Sequence, residues 1–364
     1  MRPSAFYQQR LDAVSRSFAL CIPQLEAPFR DHVALAYLLM RVLDTVEDAP
    51  FTDKHAQAQQ FARWRGFLRA LPAQAEVDAF AAGFPAQIPD SERALLADTY
   101  ALLEDAHALP AAAAAAVFNA IDRMAVGMAA YAARSATLRL VDVEDVTRYC
   151  CFVAGLVGEM LTELWSIDRA ESGASPGPSP GPSPGPSINL AYHFGVFLQK
   201  VNILKDQRDD EAVGRFLVPD RRELLASLRA NAQGALEYLQ ALPRSEPGFR
   251  IFCAWSLMMG AMTISVMDQP KQSRRADTAA LLTRTASIAT DNAALGRLFA
   301  ELMPGLPDMA PRAPVAKPES AEWFRDQLAA PLSDAELRGL GISVDLGRPR
   351  DQSRDLTLVG RAAI

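Results

Sequence analysis

The chain has no surplus of positive charge: 37 Lys and Arg stand against 43 Asp and Glu, a formal charge of −6. A protein that neutralises nucleic-acid phosphates needs the opposite balance, so no nucleic-acid partner is expected. Cysteine is scarce as well. Cys21, Cys150, Cys151 and Cys253 lie in apolar stretches without metal-ligand spacing. They read as reduced core thiols, which excludes a disulfide framework and a zinc site. Sustained period-2 alternation is missing, so no sheet is expected and the chain reads as all-α. A glycine-rich dinucleotide fingerprint is missing too. The opening residues, MRPSAFYQQRLDAVSRSFAL, contain no apolar core flanked by a cleavage site, and no secretory leader is expected. Ile251 to Met267, IFCAWSLMMGAMTISVM, is apolar for almost a membrane width. It falls short of a comfortable span and carries Gly, Ser and Thr, so a buried helix is expected.

What is present is a soluble-type composition, 50% hydrophobic over 364 residues, enough for a large core. The first helix should run from Ser4 to about Ser15, with Ser17 either a cap for the next or simply a surface hydroxyl. A second should cover Asp31 to Glu47 and stop at Ala49-Pro50, because the residue before proline avoids the helical region. Pro110 suits the first turn of a helix that opens on six alanines at 111–116. Val143 to Trp165 reads as one apolar helix. Gly155 and Gly158 inside it cost about 1 kcal/mol each relative to Ala, which makes sense if another helix or a ligand approaches closely. Further helices are expected over Asn189 to Lys205, 221–241, 250–267 and 276–304. The stretch GASPGPSPGPSPGP at 173–186 forms no packed element. Candidate chemistry lies on both sides of it, so a Pro/Gly/Ser-rich loop at 173–187 inserted in one domain of residues 1–305 is expected. A polar tail, 306–364, follows.

The chemistry starts with ALAYLLMRVLDTVED, Ala34 to Asp48, where an apolar run delivers three carboxylates in five residues. On a helix, Asp44 and Asp48 share a face with Glu47 beside them. NILKDQRDD repeats the pattern with Asp206, Asp209 and Asp210. A lone acidic trio is usually a solvated helix end. Two trios behind similar apolar runs instead suggest carboxylates directed at one cavity, holding Mg²⁺ while diphosphate completes its shell. Arg16, Arg41, Lys205 and Arg215 are the basic candidates, with salt bridges to the same acids as the alternative. Tyr37, nearly two turns before Asp44, and Tyr149 are either cavity groups or ordinary core aromatics.

SRSFA at 15–19, YLLMRVLDTVED at 37–48, YCCFVAGLVG at 149–158 and FLQKVNILKDQRDD at 197–210 together resemble the squalene and phytoene synthase family. The likeness runs from about Phe6 to Met267. It implies a single-domain isoprenoid-synthase-type helical bundle around a central cavity, with residues 1–305 as the catalytic domain. It also implies head-to-head joining of two prenyl diphosphates through a cyclopropylcarbinyl diphosphate. By this likeness Asp44, Glu47, Asp48, Asp206 and Asp210 are the metal ligands, and Tyr149 is the catalytic tyrosine, with Tyr37 beside it in the catalytic set. Ser15, Arg16, Arg41, Gln199, Asn202, Lys205 and Arg215 fall on diphosphate or intermediate contacts, and Phe18, Val153 and Val157 on cavity-lining positions. Leu156, where phytoene-type members usually carry Thr, leans toward the squalene type. That type implies farnesyl diphosphate as substrate and Mg²⁺ and NADPH as cofactors. Lys271, Arg274 and Arg275 are the loose counterpart of the NADPH-binding segment. Lys205 stands where an Arg is usual, and Leu217 where squalene-type members often have Trp. The expected protein is a cytoplasmic monomer, with any membrane contact peripheral. A phytoene- or dehydrosqualene-type product without reduction is the alternative, and a helical scaffold with decorative acidic patches is the rival of a different class.

Overall fold

The computed structural model describes residues 1–134, 137–171, 185–267 and 275–304. Its α-helices, in chain order, are α1 (Ser4–Val14), α2 (Phe18–Cys21), α3 (Phe29–Asp48), α4 (Lys54–Arg69), α5 (Gln74–Ala82), α6 (Asp90–Ala97), α7 (Thr99–His107) and α8 (Ala111–Ala133). There follow α9 (Val143–Cys150), a π-helical turn at Cys151–Gly155, α10 (Leu156–Glu171), α11 (Ile188–Ala212), α12 (Arg221–Ala241), α13 (Pro247–Val266), α14 (Arg275–Ser287) and α15 (Asn292–Leu302). Among the described residues the one extended pairing is a parallel bridge between Arg139 and Phe216. The fold is all-α, as the absence of alternation implied.

Two compact units divide the chain. The first holds the described parts of residues 1–14 and 34–136, the second those of 15–33 and 137–329. In the first unit α4 lies along α8. Trp64 stacks on Phe80 at 5.8 Å between centroids, and Phe67 and Phe84 meet the same ring edge-on. Arg65 forks onto Asp122 at 2.6 and 3.0 Å, tying α4 to α8 through a bidentate pair. The buried Gln57 side chain of α4 donates to the Val46 and Glu47 carbonyls, which the end of α3 leaves without helical partners.

In the second unit α11 is the central element, packed by α12, α10, the π turn, α13 and α9. Its contact with α10 is backbone to backbone. A Cβ on Gly158 would stand 2.1 Å from the Ala191 carbonyl oxygen, and one on Gly195 would stand 2.0 Å from that of Ala154. The glycine cost expected from sequence therefore has its cause in a neighbouring helix. Gly158→Ala should destabilise by about 1–3 kcal/mol, since the obstructing atom is main chain and cannot rotate away. A urea midpoint unchanged from the parent chain would contradict this contact.

Several sequence expectations need correction. Residues 276–304 form two helices, not one, because the Asp291 side chain accepts from the Ala293 and Ala294 amides and starts a new helix there. The helix expected to end at Lys205 continues to Ala212, which puts the second acidic cluster inside it. The hydroxyl that serves the start of α2 belongs to Ser15, accepting from the Phe18 amide at 3.1 Å, and Ser17 makes no such bond. Three helical stretches, Ala111–Ala133, Val143–Glu171 and Pro247–Val266, are long and apolar enough to cross a membrane by length and composition. More than half of each apolar window is buried within the fold, so its hydrophobicity is used in packing. All four cysteines are free and buried, as read from their surroundings.

Candidate active site

Helix α3 explains why its polar residues line up. From Ala34 to Val46 it is buried at every position except Tyr37, Arg41 and Asp44, and Glu47 and Asp48 continue beyond them. Spacings of four, three and four residues place Tyr37, Arg41, Asp44 and Asp48 on one stripe of a helix otherwise sunk in the core. Arg41 reaches Asp44 at 3.3 Å and also clamps the buried Glu92 of α6, through Nε at 3.0 Å and Nη2 at 2.5 Å. Thr45 donates to the other oxygen of Glu92 at 2.7 Å. The flanking carboxylates hold the Arg41 guanidinium firmly protonated against the opposing effect of its burial. Glu92 is thus a part of this site that no motif announced. It fixes the one arginine of the stripe in place.

In the second unit α11 repeats the arrangement. Gln199 and Asp206 are half-buried and Asn202 is exposed, while Val201, Ile203 and Leu204 between them are buried. Asp206 and Asp210 fall one turn apart on this polar face and are half-buried, while Asp209 beside them is exposed. Lys205 pairs with Asp206 at 3.1 Å and lies 3.5 Å from the Asn202 amide oxygen. Both members of the ion pair are about half exposed, with side-chain exposures of 47% and 45%. Such a pair contributes little stability and is easily exchanged for another ligand.

Burial, then repulsion from Asp206 and Asp209, pushes the Asp210 carboxyl up to about 6, and neither Lys205 nor the Arg215 guanidinium 3.9 Å away offsets this. A carboxyl raised this way costs folded-state stability in full above pH ~6, and the cost declines between that value and the ordinary carboxylate range, below which it is gone. A bound cation would remove the same cost in the ionised range. Any thermal stabilisation by a divalent cation added at this carboxyl should accordingly be larger at pH 7.5 than at pH 5. A pH-independent shift in melting temperature would place the ion elsewhere.

After α11 the chain doubles back. Gly214 takes φ +82°, which L side chains rarely adopt, and the Arg215 amide returns to the Asp210 carbonyl at 2.9 Å. The next residue, Phe216, is bound on both sides, its amide to the Leu138 carbonyl and its carbonyl to the Leu140 amide. Held so, Arg215 donates through Nη2 to the Tyr149 hydroxyl at 3.1 Å. Tyr149 is 1% exposed, close to the π turn, and Val153 and Val157 beyond it are half-buried. Phe18 meets Phe252 at 6.2 Å between ring centroids, and Arg16 is exposed.

The donor set suits a hard cation, being carboxylate oxygen on solvent-reachable helix faces with one carboxyl strained by like charge. Among the described residues, though, no three His, Cys, Asp or Glu side chains are grouped to hold a metal ion by themselves. Lys271 and Arg274, expected at an NADPH segment, lie outside the described residues. Of Arg275 only the backbone, at the start of α14, is described.

A family model described as squalene/phytoene synthase matches residues 11–222, more than half of the chain and both acidic motifs. The chain belongs to the squalene/phytoene synthase family. Among curated relatives, squalene synthase from Ganoderma lucidum is 31% identical over 216 residues, covering 57% of this chain and 42% of the relative. Squalene synthase from Eremothecium gossypii is 28% identical over 286 residues, covering 71% of this chain and 61% of the relative. This family member therefore spans about half the length of the curated relatives it matches. A solved complex of TcSQS with a ligand has a TM-score of 0.65 at 24% identity, over 93% of this chain and 99% of that one, which shows the shared fold.

Proposed function

We propose that the protein is a squalene synthase. In this reading it joins two farnesyl diphosphates head to head to presqualene diphosphate, and reduces that intermediate to squalene with NADPH. The observation that carries the reading is the likeness to curated squalene synthases across the region of both acidic motifs. Leu156, 0% exposed, supports it in a smaller way, because it puts a dry methyl surface where a hydroxyl would invite water and bases. One methylene-sized difference is worth only ~1–3 kcal/mol of discrimination, so this residue alone does not choose the product.

Asp44, Glu47, Asp48, Asp206 and Asp210 would hold Mg²⁺, which when bound supplies neutralisation of charge developing on a leaving diphosphate. Arg41 and Lys205 would contact diphosphate oxygens, and Gln199 and Asn202 would orient them by hydrogen bonds. Tyr149, with Val153 and Val157 along the same wall, would face the allylic carbons. Ser15, Arg16, Phe18 and Tyr37 complete the proposed contact set. The proposed domain is residues 1–305, acting as a monomer with at most peripheral membrane contact.

The test is one set of incubations of purified protein with Mg²⁺ and farnesyl or geranylgeranyl diphosphate, each with and without NADPH, followed by product mass. Squalene from farnesyl diphosphate only when NADPH is present is expected. A forty-carbon product formed without reductant would replace the product assignment, and absence of any Mg²⁺-dependent diphosphate release would defeat the enzyme reading.

A further inference from the structure

The contact between Arg215 and Tyr149 joins residues 66 positions apart, and the local chain is built to make it. Three independent restraints fix the arginine's backbone: the left-handed Gly214, the return bond from its own amide to Asp210, and the two-sided pairing of Phe216 with Leu138 and Leu140. Restraints of this kind are superfluous for a flexible anion hook on a surface, whose side chain can find a phosphate from many backbone positions. They matter when one guanidinium must meet a buried phenol at one angle. Nη2 addresses the Tyr149 oxygen, and Nε is turned toward Asp210 at 3.9 Å. The planar fork can serve two groups at once in a way that an ammonium cannot. Lys205, by contrast, is a half-exposed ammonium paired with Asp206 alone among the acids of the described residues.

We infer that Arg215 is a positioning residue: it fixes the direction of the Tyr149 hydroxyl while its guanidinium stands beside the Asp210 carboxylate, so that its effect on turnover passes through Tyr149. A donor bond from Arg215 occupies one lone pair of the phenol oxygen, so the hydroxyl's own proton is aimed along another direction. The orientation of this hydroxyl is then set before substrate arrives. This inference rests on the squalene synthase reading for its kinetic arm only.

A double-mutant cycle tests it, using the full chain with Tyr149→Phe, Arg215→Met, the double variant, and Arg215→Lys. The readout is Mg²⁺-dependent diphosphate release from farnesyl diphosphate, with kcat and KM determined separately. If Arg215 acts through Tyr149, Arg215→Met lowers kcat by roughly 10–100-fold with KM changed less than about threefold, and the double variant is no slower than Tyr149→Phe. Arg215→Lys does not restore the rate, because one ammonium cannot serve both partners. Losses that multiply in the double variant, or a raised KM with unchanged kcat, would overturn the inference and make Arg215 a direct diphosphate contact.

A second measurement is independent of activity. In protein labelled at tyrosine Cζ, the Tyr149 signal is assigned by its disappearance in Tyr149→Phe. Arg215→Met should shift that signal while leaving those of the other tyrosines in place. An unmoved Tyr149 signal overturns the positioning role whether or not farnesyl diphosphate is turned over. Absence of diphosphate release by the parent protein, with the shift present, would count against the functional reading alone.

Discussion

Asp44→Asn and Asp206→Asn variants are expected to lose Mg²⁺-dependent diphosphate release by a factor on the order of 10³, because metal-held stabilisation of a leaving group is worth several kcal/mol. The substitutions keep side-chain volume and one acceptor oxygen, and the ion pairs they remove, to Arg41 and Lys205, are partly exposed, so the loss should not come from unfolding. On α11 the change also relieves repulsion, since Asp206 is one of the charges that raise the Asp210 carboxyl. Helicity should be unchanged and melting temperature equal or slightly higher. Asp209→Asn should be milder, because that side chain is exposed where Asp206 and Asp210 are half-buried. The check is steady-state diphosphate release at saturating Mg²⁺ beside far-UV circular dichroism. A near-parental rate in either of the first two variants would remove that residue from the proposed ligand set.

Arg250→Met should be strongly destabilising, by about 3–5 kcal/mol, through loss of a buried hydrogen-bond network. The Arg250 side chain is 0% exposed, and burial pulls its guanidinium below the ordinary arginine range. It donates to the carbonyls of Leu239, Leu242 and Ala289 and to the Asn292 side chain. One guanidinium from α13 therefore satisfies the carbonyl end of α12 and the turn before α15. Methionine fills similar space but leaves those oxygens without donors in a region water cannot readily enter. Urea unfolding measures the loss. A midpoint within experimental error of the parent would mean that water or a shifted side chain replaces the guanidinium at little cost.

The α3 stripe could be read directly from the sequence, because Tyr37, Arg41, Asp44 and Asp48 interrupt an apolar run at helical spacing. The acidic end of α11 was legible for the same reason, as was the close helix approach at Gly158. Glu92 was not. It lies in an ordinary polar stretch, and its importance comes only from Arg41 and Thr45, about fifty positions away. The Arg215 to Tyr149 contact was hidden in the same manner. Sequence reading placed each residue on the site without revealing that one holds the other. The division of the last helix was missed because an N-capping aspartate looks like any surface aspartate until its backbone partners are known. Spacing along the chain thus disclosed which face is polar, while long-range partners and local backbone departures stayed out of view.

The π turn at Cys151–Gly155 has a consequence for phase. In a regular α-helix, residues eight apart are rotated by about 80°, so Tyr149 and Val157 would point to different walls. A five-residue π turn winds more slowly, near ~80° per residue, and takes up most of that difference. Tyr149, Val153 and Val157 can then form one file in spite of their four-residue spacing. The segment behaves as a helix carrying one residue more than its pitch requires. Loss of one residue within it would restore the ordinary pitch and leave Tyr149 and Val157 only about 20° apart, whereas ordinary α-helix over all its residues would swing the tyrosine about 80° from the valine.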